Sequence, residues 1–351
     1  MKVAILHTTK FEGETQEQLL RRSERQINAF HSAGMEVSVT QTFGFNDEEM
    51  AAACQGADVL YCNGNPVIDR YVIERCPKLK IIQRSGIGVN SIDLDAAAEH
   101  GIPAMNVVGY CIEELAVHST AMILANMRTL TFYDRELRAG KWPKGKGRVP
   151  PRVSELTVGL YGLGGSGRLM ARIWGAGFGC RIIACDPYLT PEQASEAGAK
   201  LVDFDSLCRE SDVISIHVPL NAETTHAFDE RAFSLMKPGC IIANVARGAI
   251  IDERAMCEAL RSGRIMAALD TFEEEPLPSE SPLLEMSDRT VLTPHSAYCG
   301  TEASKTLIHI ACALPVKALQ ENIYYRPYIA NSAVIPHLEA RGCVIRNELL
   351  E

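Results

Sequence analysis

The chain is 351 residues long, 46% apolar and 23% charged, with a formal net charge of −9. That length exceeds one ordinary core and predicts two domains, and the composition describes a soluble globular protein. The acidic balance excludes a general nucleic-acid footprint; no apolar run reaches bilayer length, and the opening segment is too short in apolar residues for a signal peptide, so a cytoplasmic location with no membrane or nucleic-acid partner is expected.

Val3–Leu6 reads as a buried strand, and residues 15–31 as a helix with Leu19, Leu20, Ile27 and Phe30 inward and Gly34 at its end. Val37–Val39, Ala57–Cys62 and Leu79–Gln83 are further runs of strand length. Strands alternating with helices imply a parallel sheet, with ligands outside the strands' carboxyl ends. After the last of these runs comes Ser85-Gly86-Ile87-Gly88, where two glycines flank one apolar residue and can turn successive N–H groups toward an anion. A strand-to-helix turn would use the same residues. Ile112–Thr129 reads as a long amphipathic helix, with Glu113 and Glu114 at the positive end of its dipole. Between Arg128 and Arg152 eight basic residues face two acids, and Pro143, Pro150 and Pro151 predict an extended surface arm suited to embracing a second subunit.

The segment Thr157–Arg168 organises the rest. Thr157–Tyr161 is a strand, Gly162, Gly164 and Gly167 follow in the spacing G-x-G-x-x-G around Gly165 and Ser166, and Arg168–Ala176 reads as a helix. The first glycine permits the turn, the second lets backbone approach a pyrophosphate, and the third lets helix and strand pack closely. The phosphates would sit on unpaired N–H groups at the helix start. A second strand, residues 181–185, ends at Asp186, nineteen residues past Gly167 and placed to hold a ribose hydroxyl while repelling a 2′-phosphate. The expected cofactor is NAD, with Arg181 leaving NADP open.

Further strands are expected over 212–217, 240–246, 265–269 and 290–293, with helices over Glu230–Leu235 and Glu253–Arg261 and a surface loop at Pro276, Pro278 and Pro282. A last helix carries Ala303, Leu307, Ile310 and Leu314 and is expected to return to the first domain. The tail from Asn331 offers no legible element.

The strands of the second half end on residues that can do chemistry: Asp186, His217, Arg247, Asp270 and His295. Parallel strands bring these ends to one edge. Hydride transfer to a carbonyl leaves negative charge on oxygen and needs a cation and a proton donor. Arg247 offers a forked cation for a carboxylate and its neighbouring carbonyl, and His295 is the candidate proton donor. Glu275 could hold its imidazole and favour the protonated form. His217, Pro219, Ala246 and Asp270 are read as lining the cofactor cleft. His7, His31, His100, His118, His226, His309 and His337 read as structural or surface residues. No spacing suggests a metal site, and the 12 cysteines, none in a C-x-x-C pair, read as buried free thiols of a reducing compartment.

At these residues the chain resembles the D-isomer-specific 2-hydroxyacid dehydrogenases. The matching passages are SGIGVNSIDLDAAAEHGIPAMN, VGLYGLGGSGRLMAR, HVPLNAETTHAFDERAFSLMKPGCIIANVARGAIIDE, AALDTFEEEPLP and TPHSAYCGTEA, spread over roughly residues 50–320. The resemblance implies Arg247, Glu275 and His295 as the catalytic trio, Asp270 at the nicotinamide side, and the backbone at Ile87-Gly88 as a carboxylate-binding loop. It implies an α/β protein of two Rossmann-like or flavodoxin-like domains: a substrate domain over 1–105, an inserted NAD domain over 106–293, and a segment over 294–351 returning to the first. It also implies a homodimer joined through the NAD domains, and no room for the regulatory domain of longer phosphoglycerate dehydrogenases. Where many relatives read Ala-Glu-His, this chain reads Ala116-Val117-His118. Tyr110–Ala116 looks most like the branch that includes the C-terminal-binding-protein corepressors. The leading expectation is an NAD-dependent enzyme interconverting a small 2-oxo acid and its D-2-hydroxy acid. The alternatives are an NAD(H)-sensing, corepressor-like scaffold and a formate dehydrogenase, against which Glu275 counts because that enzyme's histidine is usually partnered by glutamine.

Overall fold

The computed structural model describes residues 1–8, 15–42, 47–64 and 66–350. The chain divides into two compact units, Met1–Tyr110 with Thr301–Glu351, and Cys111–Gly300. The second is therefore inserted into the first.

In the first unit, β1 (Lys2–Thr8), β2 (Glu36–Thr42), β3 (Val59–Asn63), β4 (Ile81–Arg84) and β5 (Ala104–Met105) form a parallel sheet in the order β2-β1-β3-β4-β5. Alternate residues of one strand serve opposite faces. Val3 and Ile5 pack with Phe30, Tyr61 and Leu314, whereas Ala4 and Leu6 pack with Leu60, Val72 and Ile82. Both faces are covered, which is why the strands read as continuous apolar runs. The expected helix over 15–31 is two helices, Gln16–Arg22 and Glu24–Ser32, broken at Ser23. Ser23 is fully buried, with its hydroxyl 2.7 Å from His7 Nε2. The break leaves Leu20 outward, 43% exposed, against expectation. Gly34 does end the second helix, at φ +71°.

The tail is more structured than its sequence suggested. Past the helix Thr301–Gln320, β13 (Ile323–Tyr325) pairs in parallel with β14 (Val344–Arg346), and the helix Ile335–Ala340 lies between them. Three-residue strands are too short to carry a readable period.

In the second unit, β6 (Thr157–Tyr161), β7 (Arg181–Cys185), β8 (Lys200–Leu201), β9 (Val213–Ile216), β10 (Cys240–Asn244), β11 (Ile265–Leu269) and β12 (Thr290–Leu292) form a parallel sheet, β12-β11-β10-β9-β6-β7-β8. Its order reverses beside β6, the position at which such sheets bind dinucleotides. Val158, Leu160, Ile241 and Ala243 pack on one face with Trp174, and Ile214, Ile242 and Leu269 on the other with Phe233. β9, β10 and β12 stop earlier than expected; His217, expected as the last residue of its strand, lies in the loop beyond β9, and Arg247 and His295 lie beyond their strands as expected. The helix after the glycines starts at Gly165 and becomes a π-helix over Arg172–Gly177. The basic arm is not extended throughout: Leu130–Arg138 is helical, and only the segment after it is open chain.

The units meet at 110/111 and 300/301, later than the 105/106 and 293/294 read from the sequence. Asn106 N–H donates to Tyr328 O and Val107 N–H to Gly86 O, which keeps the chain past β5 in the first unit. Ser296 and Ala297 N–H donate to the Asp270 carboxylate, which keeps the chain past β12 in the second.

Candidate active site

The glycine loop after β6 has the geometry of a phosphate cradle. Gly162 has φ +95°, and a Cβ there would come within 2.8 Å of the His217 carbonyl oxygen. A Cβ on Gly167 would overlap the Gly162 carbonyl oxygen. A Cβ on Gly164 would meet nothing within 4 Å. Two glycines are thus demanded by the protein's own packing, while the middle one faces open space at the start of a helix whose first N–H groups have no helical partner. Gly165 is constrained from the other side, since a Cβ there would lie 2.6 Å from Ile112 Cδ1.

Asp186 stands at the end of β7. Its Oδ2 accepts from Leu163 N–H at 2.9 Å and its Oδ1 from Tyr188 N–H at 3.0 Å, so the carboxylate is anchored with acceptor capacity left over. Arg181 is at the opposite, amino end of β7, roughly 16 Å away along an extended strand. There its Nη2 pairs with Glu210 at 2.6 Å. The sequence placed Arg181 near the ribose; strand geometry removes it.

His217 follows β9. Its Nδ1 lies 3.1 Å from Ser166 Oγ and its Nε2 2.8 Å from Ser215 Oγ, which in turn lies 2.9 Å from Ser119 Oγ. Although part of the residue reaches the surface, both ring nitrogens are enclosed, and burial pushes the imidazole down to about 4. His217 is neutral near pH 7 and ties the cradle helix to the sheet. Pro219, two residues on, is exposed, and its carbonyl accepts from Thr224 Oγ1 at 2.7 Å.

Past β10, Asn244 clamps the turn: its Nδ2 donates to Arg247 O at 2.8 Å and its Oδ1 accepts from Ala246 N–H at 3.0 Å. Arg247 Nη1 donates to Ala246 O at 2.6 Å. A Cβ on Gly248 would overlap the Phe272 carbonyl, so the Arg247 turn and the loop carrying Glu275 are packed backbone against backbone. Glu275 uses both oxygens. Oε1 accepts from Phe272 N–H at 3.1 Å, and Oε2 lies 2.7 Å from His295 Nδ1. Burial pushes this carboxyl up, but the His295 imidazole and, further off, the Arg247 guanidinium outweigh it and hold it below its usual range. The structure therefore gathers Arg247, Glu275 and His295 at one edge of one unit. His295 sits in the left-handed region at φ +51°, held by its N–H bond to Asp270 O at 2.7 Å. Its Nε2 is the ring nitrogen that Glu275 does not engage.

Asp270 is wholly buried and organises the loop after β12. Its Oδ1 accepts from Thr293 Oγ1 at 2.6 Å and Ser296 N–H at 2.8 Å, and its Oδ2 from Ala297 N–H at 2.9 Å. His118, set aside as structural or surface on sequence grounds, belongs to this group: its Nε2 is 3.0 Å from Thr293 Oγ1. The available signal was its place one turn from Leu115 and Met122 on the inward side of the helix Ile112–Met127.

In the first unit, the loop after β4 has its carbonyls tied down. Arg84 Nη1 donates to Ser85 O at 2.6 Å and Cys62 O at 3.1 Å, Arg84 Nε to Gly88 O at 3.2 Å, Val107 N–H to Gly86 O at 2.9 Å, and Asn106 Nδ2 to Ile87 O at 2.7 Å. Among the described residues, the N–H groups of Gly86, Ile87 and Gly88 have no acceptor. Acceptors spent and donors outstanding is the pattern of an anion-binding loop. Gly86, at φ +147°, supplies the backbone turn.

Comparisons with known proteins place the chain in a family. The family described as D-isomer specific 2-hydroxyacid dehydrogenase, NAD binding domain, matches residues 120–297. The chain is 39% identical over 272 residues to D-3-phosphoglycerate dehydrogenase of Mycobacterium leprae, covering 77% of this chain and 51% of that protein. It is 36% identical over 250 residues to glyoxylate reductase of Thermococcus litoralis, covering 69% and 75%. The solved structure of D-lactate dehydrogenase from Aquifex aeolicus, complexed with NAD and lactic acid, superposes with a TM-score of 0.76 at 26% identity, covering 90% of this chain and 95% of that one. The chain spans about half the length of the phosphoglycerate dehydrogenases it matches.

Proposed function

Because the chain belongs to the D-isomer-specific 2-hydroxyacid dehydrogenases, we propose that it interconverts a small 2-oxo acid and its D-2-hydroxy acid with NAD, and that Arg247, Glu275 and His295 are its catalytic residues. The observation that carries this is the 2.7 Å contact of His295 Nδ1 with a carboxylate held below its usual range, near enough to the Arg247 guanidinium to feel its charge. Glu275 orients the imidazole by one nitrogen, so the other is left to exchange a proton with the substrate oxygen. Arg247 stabilises the negative charge that grows on that oxygen. The N–H groups of the Ser85–Gly88 loop suit a substrate carboxylate.

The glycine cradle, Asp186, His217, Pro219, Ala246 and Asp270 are proposed to hold the cofactor. NAD supplies or accepts the hydride when bound. Its fit rests on the open face at Gly164 and the anchored carboxylate of Asp186.

The test is NADH oxidation by the purified protein with glyoxylate, hydroxypyruvate and pyruvate. Turnover with one of them that falls by about 10³-fold in His295→Gln supports the reading. NADH binding without turnover of any 2-oxo acid would favour the scaffold instead. We further propose that the protein acts as a homodimer in the cytoplasm.

A further inference from the structure

The helix Ile112–Met127 packs against β10, β11 and β12 and brings His118 to the buried carboxylate of Asp270. His118 is 26% exposed at its side chain, and Asp270 only 1%. The two are 3.6 Å apart between Nε2 and Oδ1, too far for a good direct hydrogen bond. Thr293 Oγ1 lies between them, 3.0 Å from His118 Nε2 and 2.6 Å from Asp270 Oδ1. A hydroxyl has one proton, and an ionised carboxylate can only accept. The threonine proton therefore goes to Asp270, and the threonine oxygen accepts from His118 Nε2–H. The chain of donors runs one way, from a partly exposed imidazole to a buried carboxylate.

Other charged groups lie on the neighbouring elements: Arg168 on the cradle helix, Arg247 past β10, His295 past β12, and Glu113 and Glu114 at the start of the same helix. Among the described residues, His118 is the one cationic or potentially cationic side chain within 4 Å of the Asp270 carboxylate. Asp270 stands in the half of the sheet away from Asp186, over which the second nucleotide of a bound dinucleotide extends. An oxidised nicotinamide ring carries a positive charge that the reduced ring lacks. A buried carboxylate near that ring favours the oxidised form to the extent that its own charge is left uncompensated.

We propose that His118 is a positioning residue that acts through Thr293 to compensate Asp270, and thereby sets the ratio of affinities for NAD+ and NADH. The inference rests on the NAD site proposed above. It asks for no further ligand.

Calorimetric titration of the full chain with NAD+ and with NADH tests it, in the wild type and in His118→Leu, Thr293→Val and the double variant. His118→Leu and Thr293→Val should each raise the NAD+ to NADH affinity ratio by about three- to tenfold. The double variant should match Thr293→Val alone, because the link through which His118 acts is already cut. His118→Gln, which keeps an N–H donor at similar reach, should return the ratio to within about twofold of the wild type. Thr293→Val is nearly isosteric and carries the test even where His118→Leu does not fold. If the wild type binds both forms and neither His118→Leu nor Thr293→Val moves the ratio, this inference is overturned and the NAD site stands. A His118 effect that persists undiminished without the Thr293 hydroxyl overturns the relay. A wild type that binds neither form overturns the NAD site and this inference together.

Discussion

Two titratable side chains near the proposed cofactor cleft are pushed below their ordinary ranges, with different consequences. Burial holds His217 neutral, from an ordinary 6.5 down to about 4. The unfolded chain takes up a proton at this residue as pH falls below 6.5, whereas the folded chain does not until about 4. Stability should therefore decline across that window, by an amount on the order of 2 kcal/mol. Urea unfolding at pH 7, 6 and 5 would show the slope, and His217→Gln should flatten it; an equal slope in both proteins would remove His217 as the cause. Glu275 is the carboxylate case. Its folded form is held below the usual range, so its contribution is present above that range and is lost only as pH falls through the lowered value. It therefore stays ionised while the rate profile is measured near neutrality. In the proposed reaction, carbonyl reduction draws a proton from His295 and should fail as pH rises, whereas alcohol oxidation needs the imidazole neutral and should fail as pH falls. Steady-state rates in the two directions check this, and the same limb in both would refute the assignment of His295.

At the scale of elements, the glycine loop separates what the fold requires from what the ligand requires. Gly164→Ala adds a methyl that touches nothing in the protein, so its unfolding midpoint should match the wild type while NADH binds about tenfold or more weakly. Gly167→Ala drives a methyl into the Gly162 carbonyl and should cost about 1–3 kcal/mol of stability. Thermal unfolding and NADH titration of both variants would distinguish them; loss of stability in Gly164→Ala would mean the loop is closed by protein rather than by phosphate. That strand, loop, helix and acid were legible because each signal is local: β-branched residues, glycine spacing and an acid at a set distance. What was not legible depends on contacts remote in sequence. The break at Ser23 exists because its hydroxyl meets His7 on β1, and helical spacing alone kept Leu20 inward. His118 was missed for the same reason, since its partners Thr293 and Asp270 arrive from strands far along the chain. Arg181 was misjudged because proximity in sequence is distance along a strand.

At the scale of the whole molecule, the return of the last helix to the first domain was legible in the sequence, but the full insertion of one unit into the other came only with family resemblance, because no period or composition marks where a chain leaves a domain and returns. The proposed homodimer has a physical argument of its own. The helix Leu130–Arg138 buries none of its residues, and the open chain after it leaves Trp142 79% and Val149 94% exposed. Leu130 and Leu137 are about half exposed as well. Large apolar side chains gathered on one arm are costly in a monomer and are the usual mark of a surface that meets a partner. Tryptophan is also the residue most often found at the energetic centre of such contacts. Trp142→Asp and Val149→Asp, alone and combined, should shift the protein from dimer to monomer in sedimentation velocity, with dissociation strengthened by about 100-fold or more in the combined variant. Neither residue touches the proposed catalytic trio, so the folded monomer should still bind NADH. A wild type that sediments as a monomer, or a combined variant that stays dimeric, would show that this arm does not hold two copies together.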